Sequence, residues 1–299
     1  MSEYKILAEK ILSFLNTNHE KIKTAISLGY RRYRKYSDGK YRWIDEPNKD
    51  LACLLKDFNC ILQEETICPP YCTAGYKKQN NIKNAQRHIG KREVIALDIS
   101  HYFPNTKSKF VRKYFDSIGI SGENLDLLVD FLTYQECLPT GAPTSTLVAL
   151  LAHKEVFDSI YKKMQEQSID MTVYVDDITY STKNHMGNWV VKYTNNALKT
   201  HCLFLKSSKI KRYGYKYAVI TGVHINQAGE MTPHFKIGHS IIKSLKTQEI
   251  SKMTSEKELK GLIAKISYLQ QFYPKRLCVT KKRACKQLKL LQKQNKKEN

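Results

Sequence analysis

The sequence has no apolar run near the roughly 20 residues that a membrane-spanning helix needs. Its longest such run is Leu147 to Ala152, so no membrane partner is expected. Acidic residues are scarce beside basic ones, 28 Asp plus Glu against 50 Lys plus Arg in 299 residues, which leaves a formal net charge of +22. CxxC spacing is absent: the cysteines at 53, 60, 68, 72, 137, 202, 278 and 285 are scattered and read as reduced structural thiols. Cys68, Cys72 and His88 lack a fourth ligand at regular spacing, so zinc is set aside. Internal repeats and low-complexity linkers are also missing, apart from a lysine-rich tail from Lys286. No signal-peptide core opens the chain, because Glu3, Lys5, Glu9 and Lys10 interrupt MSEYKILAEKILSFL. That stretch reads as an amphipathic helix, and the expected compartment is the cytoplasm.

What is present argues for a folded protein with a polyanionic partner. A hydrophobic content of 41% with 10% aromatic residues supplies a sizeable core and excludes general disorder. Residues 271–299 carry ten Lys or Arg and one Glu, and RRYRKY at 31–36 interleaves cations with tyrosine. Nineteen tyrosines among basic residues suit base stacking combined with phosphate contact.

Three zones follow from the patterning. Residues 1–90 mix short helices with a Tyr-rich strand pair, turned at Ser37-Asp38-Gly39. Residues 91–230 begin with the short apolar strand after Glu93 and continue with a buried helix over 147–164, for which Thr144 or Ser145 is available as cap. MTVYV-DD-ITYST then has the arithmetic of a hairpin with a two-residue turn. Trp189 to Leu205 reads as helix and YAVITGVHIN as strand. From 231 to 299 the pattern becomes helical and basic, with Ser255 and Glu258 forming a capping box. The fold class is α+β, a sheet with helices packed on it.

Asp176 and Asp177 fall at the expected turn, and Asp98 ends the apolar strand, where a neighbouring strand could bring it beside them. Three gathered carboxylates repel one another unless divalent cations neutralise them, and oxygen-only ligation selects Mg²⁺ or Mn²⁺. Two such ions about 4 Å apart suit in-line phosphoryl transfer, with a lysine near the leaving group completing the scheme.

These residues resemble the reverse transcriptases. Asp98-Ile-Ser-His-Tyr-Phe103 is similar to the first catalytic palm motif, and Leu138-Pro-Thr-Gly-Ala-Pro-Thr-Ser145 to the motif that positions template and nucleotide. Tyr174-Val-Asp-Asp177 is similar to the YxDD box, and Lys206-Ser-Ser-Lys209 to the lysine motif that follows it. The similarity runs from Tyr41-Arg-Trp-Ile-Asp-Glu-Pro to roughly residue 270. It implies a right-hand polymerase fold, with fingers at 1–90, palm at 91–230, and a small helical thumb and tail at 231–299. It also implies catalysis by Asp98, Asp176, Asp177 and Lys209, with two Mg²⁺ held by Asp98, Ile99, Asp176 and Asp177. Substrate contacts fall to Phe103, Thr140, Gly141 and Lys209, Phe103 being the sugar gate whose ring would collide with a ribose 2′-hydroxyl.

Within that family, Asn84-Ala-Gln-Arg-His88 and Ile220-Thr-Gly222 resemble the NAxxH and VTG motifs of bacterial retron enzymes. The resemblance makes Asn84, His88, Ile220, Thr221 and Gly222, with Tyr268 and Tyr273, the expected nucleic-acid-binding residues. The length leaves no room for a separate RNase H domain, so a bare polymerase is expected. Its implied partners are a cognate structured non-coding RNA serving as template and primer, the RNA-linked DNA product, deoxynucleoside triphosphates, an effector or toxin protein and a host RNase H, together forming an antiphage unit. Thr140, Thr146, Val175 and Ile220 depart from the retron pattern. They leave open another defence-associated reverse transcriptase; from a different class, an RNA-binding subunit with a vestigial site is the other alternative.

Overall fold

The computed structural model describes residues 2–37, 39–214, 216–226, 228–233, 250, 253–275 and 277–295. The chain divides into two compact units, 1–215 and 216–299. No helix among the described residues is long and apolar enough to cross a membrane.

The first unit opens with α1 (Ser2–Ser27), which buries Leu7, Ile11, Leu15 and Ile22 at helical spacing. A two-stranded ribbon follows, β1 (Tyr30–Ser37) and β2 (Lys40–Pro47), paired from Tyr30 opposite Pro47 to Ser37 opposite Lys40. The ladder closes at Ser37 and Lys40, and Asp38 of the expected Asp-Gly turn lies outside the described residues. Next is α2 (Lys49–Glu65), started by Asn48, whose side-chain oxygen accepts the Leu51 N–H at 3.0 Å. Its Leu51, Leu55, Phe58 and Leu62 join α1 in one core.

After the short α3 (Asn81–Gln86) comes β3 (Glu93–Asp98), and then α4 (Tyr102–Asn105), α5 (Ser108–Ser117), α6 (Gly122–Leu132), α7 (Ser145–Ala152) and α8 (Lys154–Glu166). The single helix expected over 147–164 is two. His153 separates them at φ −110°, ψ 14°, because its ring is drawn into the core between Thr106 and His201. The β4 (Asp170–Tyr174) and β5 (Asp177–Thr182) hairpin follows, then α9 (Trp189–Lys199), ending earlier than the expected Leu205, and β6 (Lys211–Tyr213). These strands make an antiparallel sheet in the order β4-β5-β3-β6. Ile95, Leu97, Ile178 and Tyr180 are buried in its centre.

The second unit contains a three-stranded antiparallel sheet, β7 (Tyr217–Ile220), β8 (Val223–Asn226) and β9 (Met231–Pro233). YAVITGVHIN is therefore a hairpin and not one strand: Thr221 and Gly222 turn the chain at φ 45° and 81°. Helix was expected from 231, but 231–233 form β9, and 234–249 lie outside the described residues. Two helices complete the unit, α10 (Glu256–Gln270) and α11 (Cys278–Asn295). Ser255 caps α10 by accepting the Glu258 N–H, and Leu259, Leu262 and Ile266 pack with Ala284 of α11.

Candidate active site

The centre of the first unit's sheet gathers the carboxylates. Antiparallel pairing of β3 with β5 sets Asp98 opposite Asp177, and pairing of β4 with β5 sets Tyr174 opposite Asp177. The two-residue turn is therefore Val175–Asp176, one residue earlier than the Asp-Asp turn read from sequence, and Asp177 begins a strand. Beyond Asp98 the chain stays tethered. The Ile99 N–H donates to the Asp176 carbonyl at 2.8 Å, the Ser100 N–H to Phe204, and the Lys206 N–H to the Asp98 carbonyl.

Three carboxylates enclosed at one sheet end perturb one another. Burial, followed by the charges of Asp176 and Asp98, pushes Asp177 up to about 7. Burial and the Asp98 charge also raise Asp176. Cations oppose this: Lys209 donates to the Asp98 carboxylate, Arg42 of β2 lowers Asp176 together with Lys209, and Lys211 of β6 lowers Asp177. Among the described residues no group of three or more His, Cys, Asp or Glu side chains is placed to hold a metal ion. The donor set is nevertheless all oxygen, half-buried and electrostatically frustrated, which fits a hard divalent cation.

Val175 sits at φ 57°, a left-handed conformation that is costly for a β-branched residue. No periodicity or composition signal marks it. Arg42 and Lys211 were also missed, although Arg42 stands inside the Tyr41-Arg-Trp-Ile stretch that the family resemblance includes.

The remaining substrate residues divide. Phe103 is half-buried on α4, with its ring 5.7 Å from Tyr102. Thr140 and Gly141 lie against the base of the ribbon: the Asp45 N–H donates to the Thr140 carbonyl at 2.8 Å and the Thr140 N–H to Asp45 Oδ2 at 3.3 Å. Gly141 has φ 134°, and a Cβ there would stand 2.9 Å from the Asp45 carbonyl oxygen. Only glycine allows this approach.

Three expected nucleic-acid contacts are corrected. Asn84, His88 and Ile220 are buried, the first and last completely. His88 is clamped between Ser181 Oγ at 2.7 Å and Thr172 Oγ1 at 2.8 Å, which commits both ring nitrogens inside the fold and leaves none for RNA or metal. Burial drives its imidazole down to about 3. Asn84 and His88 are therefore framework residues of the sheet, and Ile220 is a core residue of the second unit. Thr221 and Gly222 form a turn, and Tyr268 and Tyr273 are half-buried beside Phe272.

The profile of the family described as "Reverse transcriptase (RNA-dependent DNA polymerase)" matches residues 33–225. Curated relatives include the Retron Se72 reverse transcriptase of Salmonella heidelberg, 25% identical over 62% of this chain and 51% of that protein. Two from Escherichia coli are the Retron Ec48 reverse transcriptase, 29% identical over 50% of this chain and 40% of that protein, and the Retron Ec86 reverse transcriptase, 26% identical over 51% and 50%. The matches thus span about half or less of each relative. An apo telomerase structure from Candida tropicalis, truncated of its C-terminal domain, aligns with TM-score 0.50 and 11% identity over 74% of this chain and 60% of that one. That likeness concerns the fold alone, an α+β right hand. A profile match that takes in Asp98, the 138–145 loop, the Asp176–Asp177 turn and Lys209 places the chain in the reverse transcriptase family.

Proposed function

We propose that the protein is an RNA-directed DNA polymerase of the retron type. In this reading it copies a cognate structured non-coding RNA into RNA-linked single-stranded DNA in the bacterial cytoplasm, as part of an antiphage unit. The observation that carries the reading is the strand register setting Asp98 against Asp177, with Asp176 in the adjoining turn and the Lys209 ammonium on Asp98.

In the nucleotidyl transfer, the primer hydroxyl oxygen attacks the α-phosphorus of a deoxynucleoside triphosphate, the bond to the bridging oxygen breaks, and pyrophosphate leaves in line. Two Mg²⁺, or Mn²⁺ in their place, would supply hydroxyl activation and leaving-group stabilisation when bound by Asp98, Asp176, Asp177 and the Ile99 carbonyl. Reverse transcriptases as a family use divalent ions, and the frustrated carboxylates support the same need here. Lys209 then passes from Asp98 to the triphosphate, where its charge offsets the negative charge developing on pyrophosphate. The half-buried ring of Phe103 excludes the ribose 2′-hydroxyl by its bulk. Gly141 lets the nucleotide-positioning loop lie against the ribbon base. Residues 1–90 act as fingers, 91–230 as palm and 231–299 as thumb, the basic α11 serving phosphate contacts.

Retron membership rests on the similarity to retron enzymes. The burial of Asn84, His88 and Ile220 supports a framework role for the retron-like motifs, and Thr140, Thr146 and Val175 depart from the retron pattern. A second reading, a different defence-associated reverse transcriptase, follows from those departures. Sequencing the nucleic acid that copurifies with the protein separates them. A structured RNA joined to DNA through an internal guanosine 2′-hydroxyl is expected, and free DNA or none favours the second reading. An effector or toxin and a host RNase H complete the proposed set of partners.

A further inference from the structure

The β1–β2 ribbon presents two faces of different character. Residues opposite one another in an antiparallel ladder share a face, so Arg32 with Asp45, Arg34 with Trp43, and Tyr36 with Tyr41 lie on one side. Lys35 with Arg42 and Tyr33 with Ile44 lie on the other. Arg42 belongs to the side whose charge is felt by Asp176. The Tyr36, Tyr41 and Trp43 side is the opposite face of the ribbon.

On that side the large rings are exposed, Tyr36 by 63%, Tyr41 by 66% and Trp43 by 50%. They are ordered by the arginines between them. The Arg34 guanidinium lies 5.5 Å from the Tyr41 ring centroid and 5.2 Å from that of Trp43. Arg32 lies 5.1 Å from Trp43, and the Tyr36 and Tyr41 rings are 5.0 Å apart. Arg32 is itself fixed by Gln135 at 2.9 Å and by Asp45, which ties the base of the ladder to the body of the first unit.

We propose that this aromatic and arginine ladder, on the ribbon face opposite Arg42, is a stacking platform for single-stranded RNA. The spacing and the charge both select that ligand. Rungs on one face of a strand recur about every 6.8 Å, twice the ~3.4 Å per-strand step of stacked duplex, which matches bases unstacked and spread along an extended strand. A duplex offers its base edges and backbone, and only an unpaired strand offers ring faces to Trp and Tyr. Between residues 30 and 47 the ribbon carries six Lys or Arg and three Asp or Glu, a surplus suited to phosphates running beside stacked bases.

The inference deepens the polymerase reading by giving an unpaired stretch of the RNA a surface of its own, and the two are separable by experiment. The sequence has two tryptophans, Trp43 and Trp189, so the full-length Trp189→Phe protein reports on the ladder by its indole fluorescence. An oligouridylate of about a dozen residues should quench Trp43, oligoadenylate should quench it more strongly, and a blunt RNA duplex or inorganic polyphosphate should leave it nearly unchanged. Tyr36→Ala with Tyr41→Ala in the same background should weaken oligouridylate binding about tenfold, and Trp43→Phe in the otherwise unaltered chain should retain the affinity, measured by anisotropy of a labelled strand. Absence of quenching by either oligonucleotide, or equal quenching by polyphosphate, overturns the proposal. Undiminished RNA affinity in the double tyrosine variant does so too, and assigns the ladder to a protein partner of the kind that favours Tyr, Trp and Arg. Deoxynucleotide incorporation is assayed on the unaltered protein, so failure of the polymerase reading and failure of the stacking site give different results.

Discussion

The β4–β5 and β7–β8 hairpins turn through the same number of residues with opposite chemistry. Thr221 and Gly222 both sit at positive φ, 45° and 81°, so glycine eases only the second position of that turn. In Val175–Asp176 the positive φ falls on valine, where glycine is normally used, and the next residue is a carboxylate held beside two others. Each turn thus holds one β-branched residue in the left-handed region, and only the β4–β5 turn also carries a carboxylate among two others. Strain of about 1–3 kcal/mol there coincides with the converging carboxylates. The hairpin of the second unit places a similar backbone demand on Thr221 but gathers no charge.

Substitutions in the two turns should therefore differ in kind. Asp176→Asn should lower DNA synthesis by at least about 10³-fold, in the range of removing a principal electrostatic group from a polar active site, while RNA affinity in a filter-binding titration stays within about twofold. Asp98→Asn should behave alike, and Asp177→Asn should be the mildest of the three. Because the folded site raises Asp176 and Asp177, removing either charge should also raise the chemical-denaturation midpoint in metal-free buffer. A stability loss there would contradict the frustrated carboxylate cluster. Gly222→Ala, by contrast, should leave synthesis on a short annealed primer near normal and lower stability by about 1 kcal/mol.

Lys209→Ala is expected to slow single-turnover incorporation about 10²-fold with little change in nucleotide affinity, since its charge is most useful as pyrophosphate forms. A change confined to nucleotide affinity would make it a ground-state contact. Phe103→Ala should cut discrimination against ribonucleotides about tenfold; unchanged discrimination places the gate on another residue.

The strand pattern made much of this site legible. Alternating β-branched and aromatic residues marked both β4 and β5, and Asp98 at the end of an apolar run marked β3. What stayed hidden depends on contacts remote in sequence. Nothing local says that the hairpin turns one residue before the Asp pair, because that register is set by Tyr174 facing Asp177 and Asp177 facing Asp98. His88 looked like an RNA ligand because a lone polar residue in a short helix gives no sign of the Thr172 and Ser181 hydroxyls that enclose it. His153 interrupts a helix that periodicity continues, for the same reason.

Those two histidines sharpen the comparison between framework and site through pH. Burial, joined at His153 by the His201 ring, holds each imidazole down to about 3. At His153 the geometry explains why. Thr106 Oγ1 donates to the Tyr102 carbonyl at 2.8 Å, so it accepts from His153 Nε2–H, and His153 Nδ1 must accept from His201 at 3.2 Å. Protonating His153 would set two N–H groups against each other. The unfolded chain takes up these protons near pH 6.5 and the folded chain only near 3. Stability from each histidine is therefore full above pH 6.5 and is lost as pH falls toward 3. The loss should be on the order of 2 kcal/mol per histidine between pH 7 and pH 5. Urea unfolding at the two pH values measures it, and His153→Gln should flatten the slope. A slope unchanged by that variant would contradict the neutral pair. Smallest of all, Val175→Gly should shift stability by less than about 1 kcal/mol, as relief of strain offsets lost backbone restriction, and yet lower synthesis because the Asp176 turn loosens.

The most direct test of the central claim is extension of a DNA primer on a defined RNA template by purified protein, with the unaltered chain and Asp98→Asn assayed side by side. Each deoxynucleotide is expected to be incorporated only opposite its complement, in a reaction that depends on added Mg²⁺ and is lost in Asp98→Asn. No incorporation by the unaltered chain, or undiminished extension by Asp98→Asn, would contradict it.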